Sequence, residues 1–314
     1  MSIPAAEAPF SRSGSGGGPA PPGPRSAVPF GVGLTRSGTT LLRMMLDAHP
    51  ELTIPPETHF VPDLIKAAKD GGDTEALLGI VTGSRTWGDF GVSEGELRER
   101  FATLEPGDAG GAVRAFFEAY AARIGKPRWG DKTPAYMLAQ VRIGRALPEA
   151  RFIHLIRDGR DVALSQTERA LNEQPPRNEQ AARWVRRIEK AREQAGKLGG
   201  ERYMEARYED LVRDPEPILR RICGFIELDF DPAMLTYYEG AAQRLEEMVG
   251  ELASDGRQAA QPEGYRIANH APTTKPPDPS KLDKWRREMS EDDRALYEGE
   301  AATMLKELGY EVIR

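Results

Sequence analysis

The residues of this chain best suited to chemistry begin with Gly33-Leu-Thr-Arg-Ser-Gly-Thr-Thr40, which follows a short apolar run and opens a helical pattern at Leu41 and Leu42. The glycines permit a tight turn, and the free amides and positive dipole end of the following helix favour a phosphate or sulfate oxygen. A nucleoside-triphosphatase loop carries Gly-Lys before its Ser or Thr. Here Thr39 follows Gly38 and the nearest cation is Arg36, inside the loop, which argues against an ordinary ATP or GTP site. A second group lies in Arg151-Phe-Ile-His-Leu-Ile-Arg-Asp-Gly-Arg-Asp-Val-Ala-Leu-Ser165. Its apolar run fits a central parallel strand, and Arg157 falls where that strand ends, the edge at which open α/β sheets bind ligands. With a helix starting at Gly159 or Arg160, Ser165 and Arg169 lie four apart on one face and converge on an anion held by Arg157. The plain alternative is a strand, turn and helix with solvated arginines.

Proper placement of these residues needs a layered scaffold. Apolar strand-like runs at 29–33, 128–131, 151–156 and 201–207 alternate with amphipathic helical stretches at 39–48, 180–198, 215–224 and 291–308. That alternation predicts an α/β fold with a mainly parallel central sheet flanked by helices. Residues 1–27, dominated by Pro, Gly, Ser and Ala, are expected to be a disordered tail before a single domain over 28–314. The segment 239–279 reads as long loop. With 314 residues and a net charge of −6, the chain projects no global positive field toward nucleic acid or an anionic membrane. The lone Cys223 sits in an apolar helical face and forms no internal disulfide, and no apolar run approaches a bilayer span. A cytoplasmic protein without membrane or nucleic-acid partners is expected.

These motifs resemble those of sulfotransferases that use 3′-phosphoadenosine 5′-phosphosulfate (PAPS), and the run from Gly33 to Pro50 is especially similar to tyrosylprotein sulfotransferases and their bacterial relatives. The likeness continues through Pro56-Glu57-Thr58, Gly130-Asp131-Lys132-Thr133-Pro134, Arg157-Asp-Gly-Arg160, Tyr208-Glu-Asp-Leu211 and Leu282-Asp-Lys-Trp285, in the family's order. It implies a sulfotransferase fold resembling that of P-loop proteins, with PAPS as donor. Glu57 is then the general base, and Lys132 and Arg36 stabilise charge on the transferring group. Arg36, Ser37, Gly38, Thr39 and Thr40 would hold the 5′-phosphosulfate end. Arg157, Ser165 and Arg169 would read the 3′-phosphate, with Tyr208, Asn269, Lys275 and Lys284 at further cofactor positions. Thr58 and His59 would meet the acceptor. Read without the resemblance, Glu57 is a helix-start carboxylate favoured by the dipole and Lys132 a solvated loop lysine.

The pattern departs from the tyrosylprotein enzymes at two places: His59 follows the Glu-Thr pair where they carry an arginine, and Asn269 occupies a position matched to a serine. A small hydroxylated metabolite or natural-product intermediate is therefore expected as acceptor, with peptide tyrosine as the alternative. Residues 60–127, 170–182 and 239–270 are expected to wall the acceptor, among them Trp87, Phe90, Phe116, Phe117 and Tyr120. His49 is expected to cap or pack at the end of the first helix and His154 to lie buried and hydrogen-bonded. No Cys/His/Asp cluster has metal-ligand spacing, so no metal is expected. A nucleotide-dependent kinase and a non-catalytic nucleotide-binding protein remain competing readings, and the sequence does not fix an oligomeric state.

Overall fold

The computed structural model describes residues 26–168, 174–248, 268 and 271–313. The central sheet is parallel throughout and has the strand order β4-β1-β5-β6, with β1 at Val28–Gly33, β4 at Asp131–Lys132, β5 at Ala150–Ile156 and β6 at Tyr203–Arg207. Two further strands, β2 (Leu52–Thr53) and β3 (Arg128–Trp129), pair in parallel as a separate small sheet.

The central strands are buried on both faces, which is why they read as continuous apolar runs. Along β5 the side chains alternate: Phe152 and Ile156 join the apolar cluster on one side, Ile153 and Leu155 that on the other. The first cluster is closed by helices α2 (Val61–Lys69), α3 (Thr74–Thr82), α4 (Glu94–Ala102), α5 (Ala109–Ile124) and α6 (Gln140–Ala146), together with α8 (Arg177–Gly196) and the final helix Glu291–Glu307. The second is closed by α1 (Thr39–Asp47), α9 (Tyr208–Arg213), α10 (Pro215–Phe225) and α11 (Tyr238–Leu245). Helix α7 (Gly159–Glu168) follows β5 directly, and a short helix α12 (Trp285–Glu288) precedes the final helix, α13. No described helix is long and apolar enough to cross a membrane.

Three expectations need revision. The single strand expected over 128–131 is two strands in two sheets, because the chain crosses from one to the other at Gly130. A Cβ at Gly130 would lie 2.7 Å from Pro29 Cγ and 2.8 Å from the Pro29 carbonyl oxygen, so only glycine lets β1 pass this close. The loop expected over 239–279 begins with α11, whose Ala241 and Leu245 bury beside Tyr237 at four-residue spacing. The tail expected to run to residue 27 is already packed at Ala27, whose carbonyl accepts from Arg128 Nη2 at 2.7 Å. Residues 1–25 lie outside the described part of the chain.

Cys223 is buried, as its apolar face predicts. His154 is buried with Nδ1 2.6 Å from the Tyr203 hydroxyl, and His49 is buried at the end of α1 with Nε2 2.9 Å from the Asp229 carbonyl.

Candidate active site

The loop between β1 and α1 turns sharply, with the amide of Ser37 donating to the Leu34 carbonyl at 3.1 Å. Arg36 takes the left-handed conformation, φ 77°, and so does Gly38, φ 87°. Gly38 is the N-cap of α1 and has no side chain to satisfy the helix's first amides, which leaves them to an anion. Glycine is also demanded by packing here: a Cβ at Gly38 would meet Tyr208 Cδ2 at 2.2 Å. Thr39 and Thr40 begin the helix and are buried.

Parallel pairing sets Lys132 opposite Gly31, so its side chain rises at the carboxyl end of the sheet beside this loop. Its ammonium donates to Glu57 Oε1 at 2.5 Å and to Thr40 Oγ1 at 3.4 Å. The Lys132 side chain is 1% exposed against 28% for Glu57, so the pair joins a buried cation to a carboxylate that reaches solvent. Burial pushes the Lys132 ammonium pKa down and the Glu57 carboxylate pulls it back up. The other Glu57 oxygen lies 3.3 Å from His59 Nε2, and His59 itself has φ 57°, a strained conformation for a non-glycine residue.

What fixes Glu57 is its neighbour. The Thr58 hydroxyl donates to Asp131 Oδ2 at 2.8 Å and lies 2.9 Å from the Tyr136 hydroxyl, while the Thr58 amide donates to Thr133 Oγ1 at 3.1 Å. Thr58 is fully buried, so it anchors Glu57 rather than presenting itself to an acceptor. Burial raises the Asp131 pKa to about 7, against the opposing hydrogen bonds from Thr58 and Thr133. Asp131, Thr133 and Tyr136 were missed as site residues; the signal was their place within and just after Gly130-Asp131-Lys132-Thr133-Pro134.

At the far end of the loop, Arg157 Nη1 donates to the Arg36 carbonyl at 3.3 Å and Nη2 to Asp161 Oδ2 at 3.2 Å, with the guanidinium carbon 4.8 Å from the centre of the Tyr208 ring. Arg36 Nε donates to Ser165 Oγ at 3.1 Å. The structure therefore brings Arg36, Ser37, Gly38, Thr39, Thr40, Arg157, Ser165 and Tyr208 around one site. Lys284 is tied to Glu168 and Glu288, and Lys275 is exposed, its carbonyl accepting from Tyr237. Arg169, Asn269 and His270 lie outside the described residues.

Two polar atoms here, Ser37 Oγ and Arg157 Nε, are buried without a hydrogen-bond partner among the described residues. Buried polar groups are nearly always satisfied, and both of these are donors that a phosphate oxygen accepts from. Together with the uncapped amides of α1, the donor set fits a nucleotide carrying phosphates at both ends.

A cavity of about 700 Å³ opens next to His59, lined in part by Arg85, Tyr136, Leu138, Arg142 and Arg145. The expected aromatic walls are elsewhere. Phe90, Phe116, Phe117 and Tyr120 are fully buried, and Phe116 packs edge-on against Phe60, Phe90 and Phe117, so these rings build the core. Trp87 packs against Phe90 at the edge of this cluster.

The family profile described as "Sulfotransferase family" matches residues 30–232, more than half of the chain. The chain belongs to the sulfotransferase family. Among relatives of this sulfotransferase, a putative protein-tyrosine sulfotransferase of Caenorhabditis briggsae is 30% identical over 67% of this chain and 69% of that protein. Protein-tyrosine sulfotransferase 2 of Gallus gallus is 28% identical over 66% of this chain but 53% of its own length, so the chain spans about half of that relative. The fold is shared with a sulfotransferase domain from the curacin biosynthetic pathway, at a TM-score of 0.61, 22% identity and coverage of 92% of this chain and 99% of that one. A sulfotransferase domain from the Synechococcus PCC 7002 olefin synthase gives a TM-score of 0.57 at 24% identity, covering 93% and 98%.

Proposed function

We propose that this enzyme moves a sulfuryl group from PAPS to a hydroxyl of a small metabolite or natural-product intermediate, with Glu57 as general base. The observation that carries this reading is the meeting of Glu57 and Lys132 beside the amide-rich start of α1, with Arg157 and Ser165 at the opposite end of the same loop. Bound there, PAPS would supply an activated sulfuryl group and leave as adenosine 3′,5′-bisphosphate. Residues 36–40 would hold the 5′ end, and Arg157 and Ser165 the 3′-phosphate, joined in this proposal by Tyr208, Lys284 and the undescribed Arg169.

Within this arrangement each side chain has a distinct task. Glu57 is half-open to solvent and accepts the acceptor's hydroxyl proton. Lys132, buried and sharing hydrogen bonds with Glu57 and Thr40, places positive charge where negative charge grows between the two substrates. His59 steadies the second Glu57 oxygen and faces the cavity in which the acceptor would sit.

The cavity volume lies within the range usual for small-molecule sites, which supports a compact acceptor. The names of the curated relatives support a second reading, sulfation of tyrosine in a peptide or protein. Incubating the enzyme with PAPS and either a metabolite extract or a tyrosine peptide, and searching by mass spectrometry for gain of one sulfo group, separates the two. Transfer from ATP with magnesium and none from PAPS would overturn both.

A further inference from the structure

Helix α7 begins two residues after Arg157, and Asp161 stands one turn along the chain from that arginine. The Asp161 side chain has 0% exposure and both its oxygens are used. Oδ2 accepts from Arg157 Nη2 at 3.2 Å and Oδ1 from the backbone amide of Trp285 at 2.8 Å. Trp285 is itself locked in place, its ring 3.5 Å from the guanidinium carbon of Arg160, which is held in turn by Asp158 and Glu298. One buried carboxylate thus ties the arginine at the head of α7 to the segment that carries Lys284. With the Tyr208 ring on its face and the Arg36 carbonyl on Nη1, the Arg157 guanidinium is fixed in plane and direction. An ionised carboxylate in such a place costs desolvation energy, and burial raises the Asp161 pKa while Arg157 opposes the rise.

We propose that Asp161 is a positioning residue for donor selection: by aiming the Arg157 guanidinium and anchoring the Lys284 segment, it gives the site its preference for a nucleotide bearing a 3′-phosphate. The inference rests on the donor assignment made above. Substitution by asparagine keeps an acceptor for the Trp285 amide but turns an NH2 group or a neutral oxygen toward Arg157, so the guanidinium loses its charged partner. The 5′ end of the nucleotide, held by the loop and the amides of α1, does not touch Asp161.

The test is calorimetric titration of the full chain with adenosine 3′,5′-bisphosphate and, separately, adenosine 5′-phosphate. Asp161→Asn is expected to weaken the bisphosphate about tenfold, the low end of what loss of a ligand-orienting partner costs, and to leave the monophosphate unchanged. In an Arg157→Lys background the same substitution is expected to add no further selective loss, since the effect travels through the guanidinium. Asp161→Glu, which keeps the buried charge and displaces it by one methylene, is expected to show the same selective loss and serves if the asparagine variant does not fold. Equal weakening of both ligands would make Asp161 a purely structural residue and overturn the proposal, as would an unchanged ratio. A wild-type chain that binds the two nucleotides equally would overturn the donor assignment itself, a failure read before any variant is made.

Discussion

Glu57 and Lys132, 75 residues apart in sequence, meet at 2.5 Å between a carboxylate oxygen and a buried ammonium. The pair sets a carboxylate that reaches solvent against a cation that does not. Lys132 also depends on Glu57: without it the buried ammonium would be a cation facing the Thr40 hydroxyl with no carboxylate beside it at this point. The two roles proposed for Glu57 and Lys132 therefore fall on one ion pair, with Thr58 and Asp131 beneath it.

Glu57→Gln is expected to lower turnover by about two to four powers of ten, the range for loss of a placed general base. The glutamine keeps an oxygen for Lys132, so the fold should persist. Initial rates with saturating donor, alongside melting curves, check both halves. A variant that retains wild-type turnover would remove Glu57 from the role of base.

Lys132→Met separates activity from stability. Turnover should fall about a hundredfold to a thousandfold, as for loss of one donor at developing charge. Stability should not fall in parallel, because a methionine of similar length relieves the desolvation that pushes the Lys132 pKa down. Expected on melting is a midpoint equal to or above wild type; a drop as large as that of a core cavity would contradict the argument.

Gly38→Ala combines two faults, a side chain at φ 87° and a Cβ 2.2 Å from the Tyr208 ring. The backbone fault alone costs about 1–3 kcal/mol, and the clash adds to it by displacing the ring that lies on Arg157. A lower melting midpoint and loss of nucleotide binding are expected. Gly38→Ala with Tyr208→Ala should recover part of the stability, since only the clash is removed; no recovery at all would assign the whole effect to the backbone.

The sequence made the scaffold of this site legible for a simple physical reason: β1, β5 and the loop to α1 carry their signals locally. A buried parallel strand is continuously apolar, and an anion loop needs its glycines at fixed offsets. Arg157 could be placed from the end of its strand and Ser165 from helix spacing, and both meet Arg36. The misreadings concern long-range packing. Nothing within 128–131 announces that Gly130 must slip past Pro29, and the aromatic residues of α5 look the same in a core as in an acceptor wall. Asp131 and Asp161 escaped notice because a buried carboxylate acquires its task only from partners brought by the fold, Thr58 in one case and Trp285 in the other.

Two buried groups should bend the stability profile in opposite directions. Burial lowers the His154 pKa from 6.5 to about 4, so the folded state stays neutral where the unfolded chain binds a proton. Its contribution is present above pH 6.5 and lost as pH falls toward 4, about 3 kcal/mol at most at roughly 1.4 kcal/mol per pH unit. Asp131 has the opposite sign: its pKa rises from 3.8 to about 7, so its favourable contribution is complete below pH 3.8 and disappears as pH climbs to 7. Between pH 4 and 6.5 the two slopes oppose each other, and single substitutions should unmask them. Asp131→Asn is expected to steepen the loss of stability on acidification, measured by urea unfolding across this window. His154→Gln, which keeps a partner for the Tyr203 hydroxyl, is expected instead to make the protein gain stability relative to wild type as pH falls. If both variants shift the profile uniformly without changing its slope, neither group titrates between the folded and unfolded states as burial requires.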